Sequence, residues 1–325
     1  MKQLFLSLLS LAFLSGLVSA QTITETFGSG ANAFTMDFVT IGNPNNAADT
    51  TGTPNPVGSV AYTYNIGKYE VSRDMVLKAS TDGGIGLTLA DMTSYRSNGV
   101  NRPATGISWN EAARFVNYLN TSKGYQAAYL FDGSGNFQLW SSVRSSGNNL
   151  FRHKDAYYFL PSLDEWYKAA YGSPSGIWSN YTTASDVAPE QAKSTDSQGW
   201  AVSGGTTAGT AVYNLWGVGT ADIKNAGGLS AYGTMAQGGN VFEWMESAWD
   251  LTNDSSVENR ELRGGDWGSS VSDLSNLSRW YDIPTNDSDI LSNVGFRVAM
   301  IPEPSSLSLL ALGGVVVALR RRKQA

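Results

Sequence analysis

Two stretches of the chain place apolar residues at helical spacing, and a capping signature precedes each of them. Ser108 and Glu111 stand three residues apart before the first stretch, and Ser162 and Glu165 stand in the same relation before the second. In such a pair, the serine hydroxyl and the glutamate carboxylate satisfy free backbone amides in the first turn of a helix. We therefore predict a helix after each serine and interpret the four side chains as caps; catalysis is their alternative role.

Elsewhere the hydrophobic pattern is broken into short pieces. Strand-like segments occur at 34–41 and 60–66, within text that is rich in Gly, Asn, Pro and Thr. From 173 to 229 the pattern dissolves into Gly, Ser, Thr and Ala with scattered aromatic residues, and loops of this length are uncommon unless they are functional. Short helices, short strands and long loops predict an α+β fold with much irregular structure.

The N-terminus carries a hydrophobic run of a different kind. Lys2 is followed by an apolar stretch from 4 to 18 and by the small pair Ser19-Ala20. A leading positive charge, a short apolar region and small residues are typical of a secretory signal peptide. We therefore assign residues 1–20 to a signal peptide and expect the mature chain to begin at Gln21.

The C-terminal residues 302–325 have the features of a sorting signal. Pro302-Glu303-Pro304 precedes an uncharged run from 305 to 319, and a basic cluster at 320–323 follows. The run is shorter than the roughly 20 residues that span a bilayer comfortably, but a short transmembrane helix there can anchor the chain transiently, with its basic flank in the cytoplasm. Together these features resemble the PEP-CTERM signal of Gram-negative bacteria. The resemblance implies processing by an exosortase and a place in the cell envelope or at the cell surface.

The composition excludes several classes of function. The chain has no cysteine, which excludes disulfide bonds, a thiolate nucleophile and cysteine-ligated metals. Its one histidine, His153, stands in the charged stretch 151–155, which we interpret as a solvated loop and not as part of a catalytic triad. A net charge of −6, without a basic stretch before the C-terminal tail, argues against nucleic acid as a partner.

Six segments between the two terminal signals, taken in order, resemble the formylglycine-generating enzyme or sulfatase-modifying factor family. They are 66–72, 107–113, 160–166, 239–244, 262–267 and 295–299. The resemblance implies that residues 21–301 form one domain with the α+β, C-type lectin-like fold of that family, loop-rich with short helices and short antiparallel strands. It also implies that Trp109, Trp166 and Trp244 lie mostly in the core.

The resemblance implies a copper site that this chain has lost. Active members of the family convert a sulfatase cysteine to formylglycine with two copper-binding cysteines, and the corresponding positions here are Ser269 and Leu274. A serine hydroxyl is a poor ligand for a soft metal, and leucine is none. We therefore expect no copper and no copper-dependent oxidation.

Calcium is the cofactor that the resemblance leaves open. The family holds calcium at a turn whose matching positions here are Gly239, Val241 and Glu243, while Ala236 replaces a further oxygen ligand. Backbone and carboxylate oxygens are the ligands that calcium prefers. We predict a structural calcium ion at these residues; the alternative is that Asn240 and Glu243 hydrogen-bond to loop backbone.

The charged residues near these segments have alternative roles. Glu243, Glu246 and Asp250 follow one another closely, so they are candidates for acid/base chemistry as well as for calcium binding. For Arg263 and Arg297 we expect buried pairing with Asp or Glu in preference to binding of an anion.

The leading hypothesis is an exported, non-catalytic surface domain that binds an extracellular ligand, either a polysaccharide or an envelope protein. Trp178 and Trp200, in the long loops, are candidate platforms for sugar rings, or they fill a core between the loops. The alternatives are a divergent protein-modifying oxidoreductase related to formylglycine-generating enzyme, an enzyme that uses Asp266, Glu243 and neighbouring acids, and a structural matrix component.

Overall fold

The computed structural model describes residues 22–95, 97–192, 205–215, 217–285 and 292–302. The signal peptide assigned to 1–20, the hydrophobic run at 305–319 and Trp200 lie outside the described residues. Within them, no helix is both long enough and apolar enough to cross a membrane.

Three α-helices lie in the described part of the chain: α1 (Arg73–Gly83), α2 (Trp109–Ser122) and α3 (Leu163–Tyr171). The helices α2 and α3 are those that we predicted, and both capping boxes form, between Ser108 and Glu111 and between Ser162 and Glu165. The capping interpretation is thus confirmed. We missed α1 because its N-cap residue, Ser72, is followed three residues later by a methionine and not by the glutamate of the usual capping box.

The strands within the described residues are short. In chain order they are β1 (Thr22–Phe27), β2 (Phe34–Ile41), β3 (Tyr64–Gly67), β4 (Leu130–Phe131), β5 (Phe137–Gln138), β6 (Ser145–Ser146), β7 (Asn149–His153), β8 (Tyr158–Phe159), β9 (Glu190–Gln191), β10 (Thr210–Ala211), β11 (Phe242–Ala248), β12 (Arg260–Arg263), β13 (Trp280–Asp282), β14 (Val294–Gly295) and β15 (Ala299–Met300). The predicted strand at 34–41 is confirmed as β2, and the segment at 60–66 contributes only the shorter β3.

Two sheets organise the domain. The first has five strands in the order β1-β2-β3-β15-β8, and all its neighbouring strands are antiparallel. The second has four strands in the order β13-β12-β11-β14, in which only the pair β11-β14 is parallel. Since β13 ends this order, one of its edges has no partner strand among the described residues. The expected α+β fold, with short helices, short strands and many loops, is confirmed.

Indole rings join the start of α2 to the central strand β11. Trp109 donates its indole N–H to the carbonyl of Met245 over 2.9 Å, and Trp244 donates to the carbonyl of Ile107 over 2.8 Å. Trp109, Trp166 and Trp244 are fully buried, which confirms the expected core positions. Buried indole N–H groups need such acceptors, so these bonds set how α2 sits on the sheet.

The interpretation of 151–155 as a solvated loop was wrong for residues 151–153, whereas Lys154 and Asp155 form an exposed turn. Residues 149–153 form β7, and His153 is buried with its ring edge-on to Trp140, at 4.7 Å between ring centroids. The imidazole Nδ1 accepts the backbone N–H of Asp155 over 3.1 Å, and burial lowers the pKa of His153. The apolar ring of Trp140 covers the histidine, and the local sequence around His153 does not reveal this.

Candidate functional site

The turn that leads into β11 requires glycine at its start. Gly239 has a φ of +86°, and its N–H donates to the carbonyl of Gly264 over 2.8 Å. A β-carbon at this position would stand 2.2 Å from the carbonyl oxygen of Val212. Only glycine tolerates both the positive φ and this close approach of backbone.

Asn240, the next residue, links the turn to the buried carboxyl group of Glu70. The Asn240 amide donates to Glu70 Oε2 over 2.6 Å, and its carbonyl oxygen accepts the backbone N–H of Ala221 over 2.8 Å. Burial raises the pKa of Glu70 well above its ordinary value of 4.5, and the nearby charge of Glu243 raises it further. The environment of Glu70 therefore stabilises its neutral form.

Glu243, at the end of the turn, forms a buried ion pair. Its Oε1 accepts from Arg297 Nη2 over 2.5 Å, and its Oε2 accepts from Arg297 Nε over 2.6 Å and from the indole N–H of Trp166 over 2.7 Å. Arg297 also donates to the carbonyls of Gly67 and Met235. Both side chains of the pair are fully buried, so the expected pairing of Arg297 is confirmed.

The residues of the predicted calcium site have other partners in this structure. Gly239, Val241 and Glu243 share one turn, but both oxygens of the only carboxylate already accept hydrogen bonds from Arg297 and Trp166. No group of three or more His, Cys, Asp or Glu side chains in the described ranges is placed to hold a metal ion. A calcium ion at this turn would therefore have to compete with Arg297 for the Glu243 carboxylate. The calcium site stays a prediction.

The acidic residues that follow Glu243 in the sequence, Glu246 and Asp250, lie in different environments. Glu246 is fully buried, accepts from the Tyr129 hydroxyl over 2.8 Å and lies 3.4 Å from Arg152 Nε. Burial raises the pKa of Glu246, and the charge of Arg152 opposes the rise. Asp250 is exposed, and Glu243 faces another arginine. The structure therefore does not place any two of these three carboxylates together as an acid/base pair.

Arg263 is also paired, as expected. Its Nε lies 3.0 Å from Glu261 Oε1, and Arg279 Nη2 lies 2.6 Å from the other oxygen of the same carboxylate. Arg263 and Glu261 are fully buried. Arg263 also donates to the carbonyls of Ser278 and Thr53, so it joins β12 to neighbouring segments and is not available to bind an exposed anion.

The loop that follows β12 contains the two positions where the sequence analysis placed the lost cysteines. The Asp266 carboxylate accepts the backbone N–H groups of Gly268 and Ser269 and the Ser269 hydroxyl, over 2.6 to 2.9 Å. Asn293 donates to the other oxygen of Asp266. Ser269 is half-buried, whereas Leu274 is fully buried. Asp266 therefore organises the loop, and Leu274 belongs to the packed interior.

A cleft of about 470 Å³ opens between this loop and the edge strand β13. Its lining combines apolar and acidic side chains, among them Phe242, Leu262, Trp280, Asp266, Asp273 and Asp282. Trp280 is 52% exposed, and its ring stands edge-on to Phe242 at 6.1 Å between centroids. No lysine or arginine among the described residues lines this cleft. We call it the Trp280 cleft.

We did not predict a role for Trp280 from the sequence and named Trp178 and Trp200 as the candidate sugar platforms instead. Trp178 packs its half-buried ring against Tyr167 at 5.6 Å between centroids and does not line the Trp280 cleft. The adjacent aromatic residues Trp280 and Tyr281 were the available signal. In the structure both residues are 52% exposed, and both line the Trp280 cleft.

Comparison with known families gives the same assignment as the six sequence segments. Residues 30–301 match the sulfatase-modifying factor enzyme 1-like domain. The chain belongs to this family. Residues 301–323 match the PEP-CTERM protein-sorting motif. This sulfatase-modifying-factor-like protein is therefore an exported protein of a Gram-negative cell envelope, and its sorting motif indicates processing by exosortase-type machinery.

Two solved structures have the same fold. Treponema denticola variable protein 1 matches with a TM-score of 0.56 at 19% identity, over 86% of this chain and 99% of that chain. CarF matches with a TM-score of 0.56 at 17% identity, over 82% of this chain and 99% of that chain. No curated protein matches the sequence. At these identities the likeness establishes the fold and not a shared activity.

At the two positions where we expected the family's copper-binding cysteines to correspond, the chain has Ser269 and Leu274. Ser269 offers a hydroxyl that is already bonded to Asp266, and Leu274 offers only a buried hydrocarbon. Neither supplies the sulfur ligand that copper favours. The expectation that this member binds no copper stays a prediction.

Proposed function

We propose that this exported sulfatase-modifying-factor-like protein binds an extracellular polysaccharide in the Trp280 cleft and performs no reaction on it. The observation that carries the proposal is the half-exposed Trp280 ring, which stands in one cleft with carboxylate and amide side chains. The apolar face of a sugar ring packs on indole, and its hydroxyl groups hydrogen-bond to carboxylates and amides. A cleft with both kinds of group suits a saccharide.

The charge of the cleft restricts the kind of polysaccharide. Asp266, Asp273 and Asp282 line it, and no lysine or arginine among the described lining residues offsets them. An acidic polysaccharide would bring like charges together at short range, which disfavours binding. The proposed ligand is therefore a neutral polysaccharide or one that contains amino sugars.

The contacts of the acidic groups support binding without catalysis. Glu243 is enclosed with Arg297, and Asp266 accepts hydrogen bonds on both of its oxygens from its own loop and Asn293. A general acid or base must reach the substrate within hydrogen-bonding distance. These two carboxylates, which the enzyme alternative requires, are instead committed to holding the fold.

The test compares two tryptophans of the mature protein, Trp280 and Trp178. The probe is the neutral extracellular polysaccharide of the producing bacterium, and the acidic fraction from the same cells serves as the charge control. We expect Trp280→Ala to weaken binding of the neutral fraction about fivefold, since the lost ring contact is of the order of 1 kcal/mol. Trp178→Ala should leave binding unchanged. Melting temperatures show whether each variant remains folded.

Three results would redirect the proposal. Loss of binding in Trp178→Ala alone would move the sugar platform to the long loops. If the protein binds neither polysaccharide fraction and captures an envelope protein instead, its ligand is an envelope protein and not a polysaccharide. Accumulation in the matrix regardless of polysaccharide would favour the structural role. Mass spectrometry of a cysteine-containing sulfatase peptide after incubation with the protein tests the oxidoreductase alternative, because activity would produce formylglycine.

A further inference from the structure

A second cleft, of about 500 Å³, lies beside the first turn of α2. Its lining is amide and aliphatic in character, with Asn110, Asn136, Gln138, Val257, Ile283 and Pro284 among its residues. No charged side chain lines it within the described part of the chain. We call it the Asn110 cleft. Its uncharged lining is suited to a neutral ligand, in contrast to the acidic Trp280 cleft.

The Asn110 cleft contains side-chain amides that can form hydrogen bonds with a polar part of a ligand. Asn136 and Gln138 each donate an amide N–H to Asp132, which holds both amides in place at the cleft. Asn110 Oδ1 is buried and has no hydrogen-bond partner among the described residues. This oxygen is closed off from solvent, so the Asn110 side chain must rotate toward the cleft before a ligand hydroxyl can satisfy it.

Consecutive segments of one stretch of backbone line the two clefts. Residues 280–282, which form β13, line the Trp280 cleft, and residues 283–285 line the Asn110 cleft. Extended backbone from Trp280 to Ile283 spans about 10 Å. Pro284 is held in place because its carbonyl accepts the backbone N–H of Asn110 over 3.1 Å. A single sugar ring cannot bridge this distance, whereas a short oligosaccharide can.

Exposed aliphatic side chains give the Asn110 cleft an apolar wall. Val257 is 79% exposed and Ile283 is 45% exposed. Such side chains, beside amide groups, present the same mixture of surfaces as the first cleft but without its negative charge.

We propose that the Asn110 cleft is a second saccharide subsite, and that the ligand is a linear polysaccharide whose chain crosses β13 and fills both clefts. This inference rests on the proposed function of the Trp280 cleft. The Asn110 cleft takes a neutral sugar unit, and the Trp280 cleft takes a neutral or amino sugar. Binding strength therefore increases with the length of the oligosaccharide until both subsites are filled, and then stays constant.

The test uses the mature protein and oligosaccharides of increasing length, prepared by partial acid hydrolysis of the neutral extracellular polysaccharide. The double variant Val257→Ser/Ile283→Ser removes the apolar wall of the second subsite. The control, Val143→Ser/Ile177→Ser, changes aliphatic residues that are 79% and 66% exposed outside either cleft. We expect the cleft variant to bind long oligosaccharides about tenfold more weakly than the control, and short ones equally well.

The outcomes separate this inference from the function on which it rests. Equal binding of long oligosaccharides by the cleft variant and the control would overturn the second subsite, even if Trp280→Ala still weakens binding. The same conclusion follows if affinity does not depend on length. Failure of the unmodified protein to bind any oligosaccharide would remove the proposed function and the second subsite together.

Discussion

Replacement of Glu243 by glutamine should destabilise the protein strongly. The change keeps the shape of the side chain but removes the negative charge that faces Arg297. Arg297 is fully buried and donates to both oxygens of Glu243, so its guanidinium loses its counter-charge. It keeps two backbone acceptors, the carbonyls of Gly67 and Met235. Removal of one partner from a buried ion pair costs about 3–5 kcal/mol in the free energy of unfolding.

That loss is large enough to measure directly. In a domain of this size, about 4 kcal/mol corresponds to a fall in melting temperature of roughly 10 °C. The assay is thermal and urea unfolding of the mature protein, followed by circular dichroism. Glu190→Gln is the matched control, because Glu190 is exposed and the same chemical change there should alter stability by less than about 0.5 kcal/mol.

A second part of this experiment compares melting temperatures with calcium and with a chelator. If Glu243 serves the ion pair alone, a chelator leaves the melting temperature of the unmodified protein unchanged. If calcium occupies the turn at Gly239, Val241 and Glu243, a chelator lowers the melting temperature, and Glu243→Gln removes that sensitivity. Our reasoning about the ion pair would be refuted if Glu243→Gln unfolded within about 1 kcal/mol of the unmodified protein.

Two further predictions concern the same turn. Gly239→Ala should lower the free energy of unfolding by at least about 2 kcal/mol, since the new β-carbon meets the Val212 carbonyl and alanine tolerates a φ of +86° poorly. Urea unfolding measures this loss, and a variant as stable as the unmodified protein would contradict the prediction. The raised pKa of Glu70 means that the folded state binds its proton more tightly than the unfolded state, so this contribution to stability falls as the pH rises above 4.5. Glu70→Gln should therefore gain stability relative to the unmodified protein between pH 5 and pH 8, and a constant difference would show that Glu70 does not titrate in this way.

Local sequence signals were sufficient where the relevant interactions are local. The caps of α2 and α3 could be predicted because a serine and a glutamate three residues later are both part of one helical turn. The first helix, α1, was missed because its cap uses a methionine at that position. The sorting motif was identifiable for a similar reason, since its parts are contiguous in the chain.

The candidate site depended on contacts between distant parts of the chain. The resemblance placed Glu243 at a calcium turn, but the partner of its carboxylate, Arg297, lies far along the sequence and arrives through the parallel pairing of β14 with β11. In the same way, Trp280 lines a cleft only because β13 pairs with β12 at the edge of the sheet. No local pattern specifies which strand lies at an edge.

The sequence alone determined that the protein is exported, which family it belongs to, and that no cysteine is available for that family's copper chemistry, because these properties reside in residue identity and short-range order. Only the tertiary structure decided which charges neutralise each other and which aromatic ring remains exposed. Burial and pairing depend on which segments meet after folding, and those segments are separated by many residues in the chain.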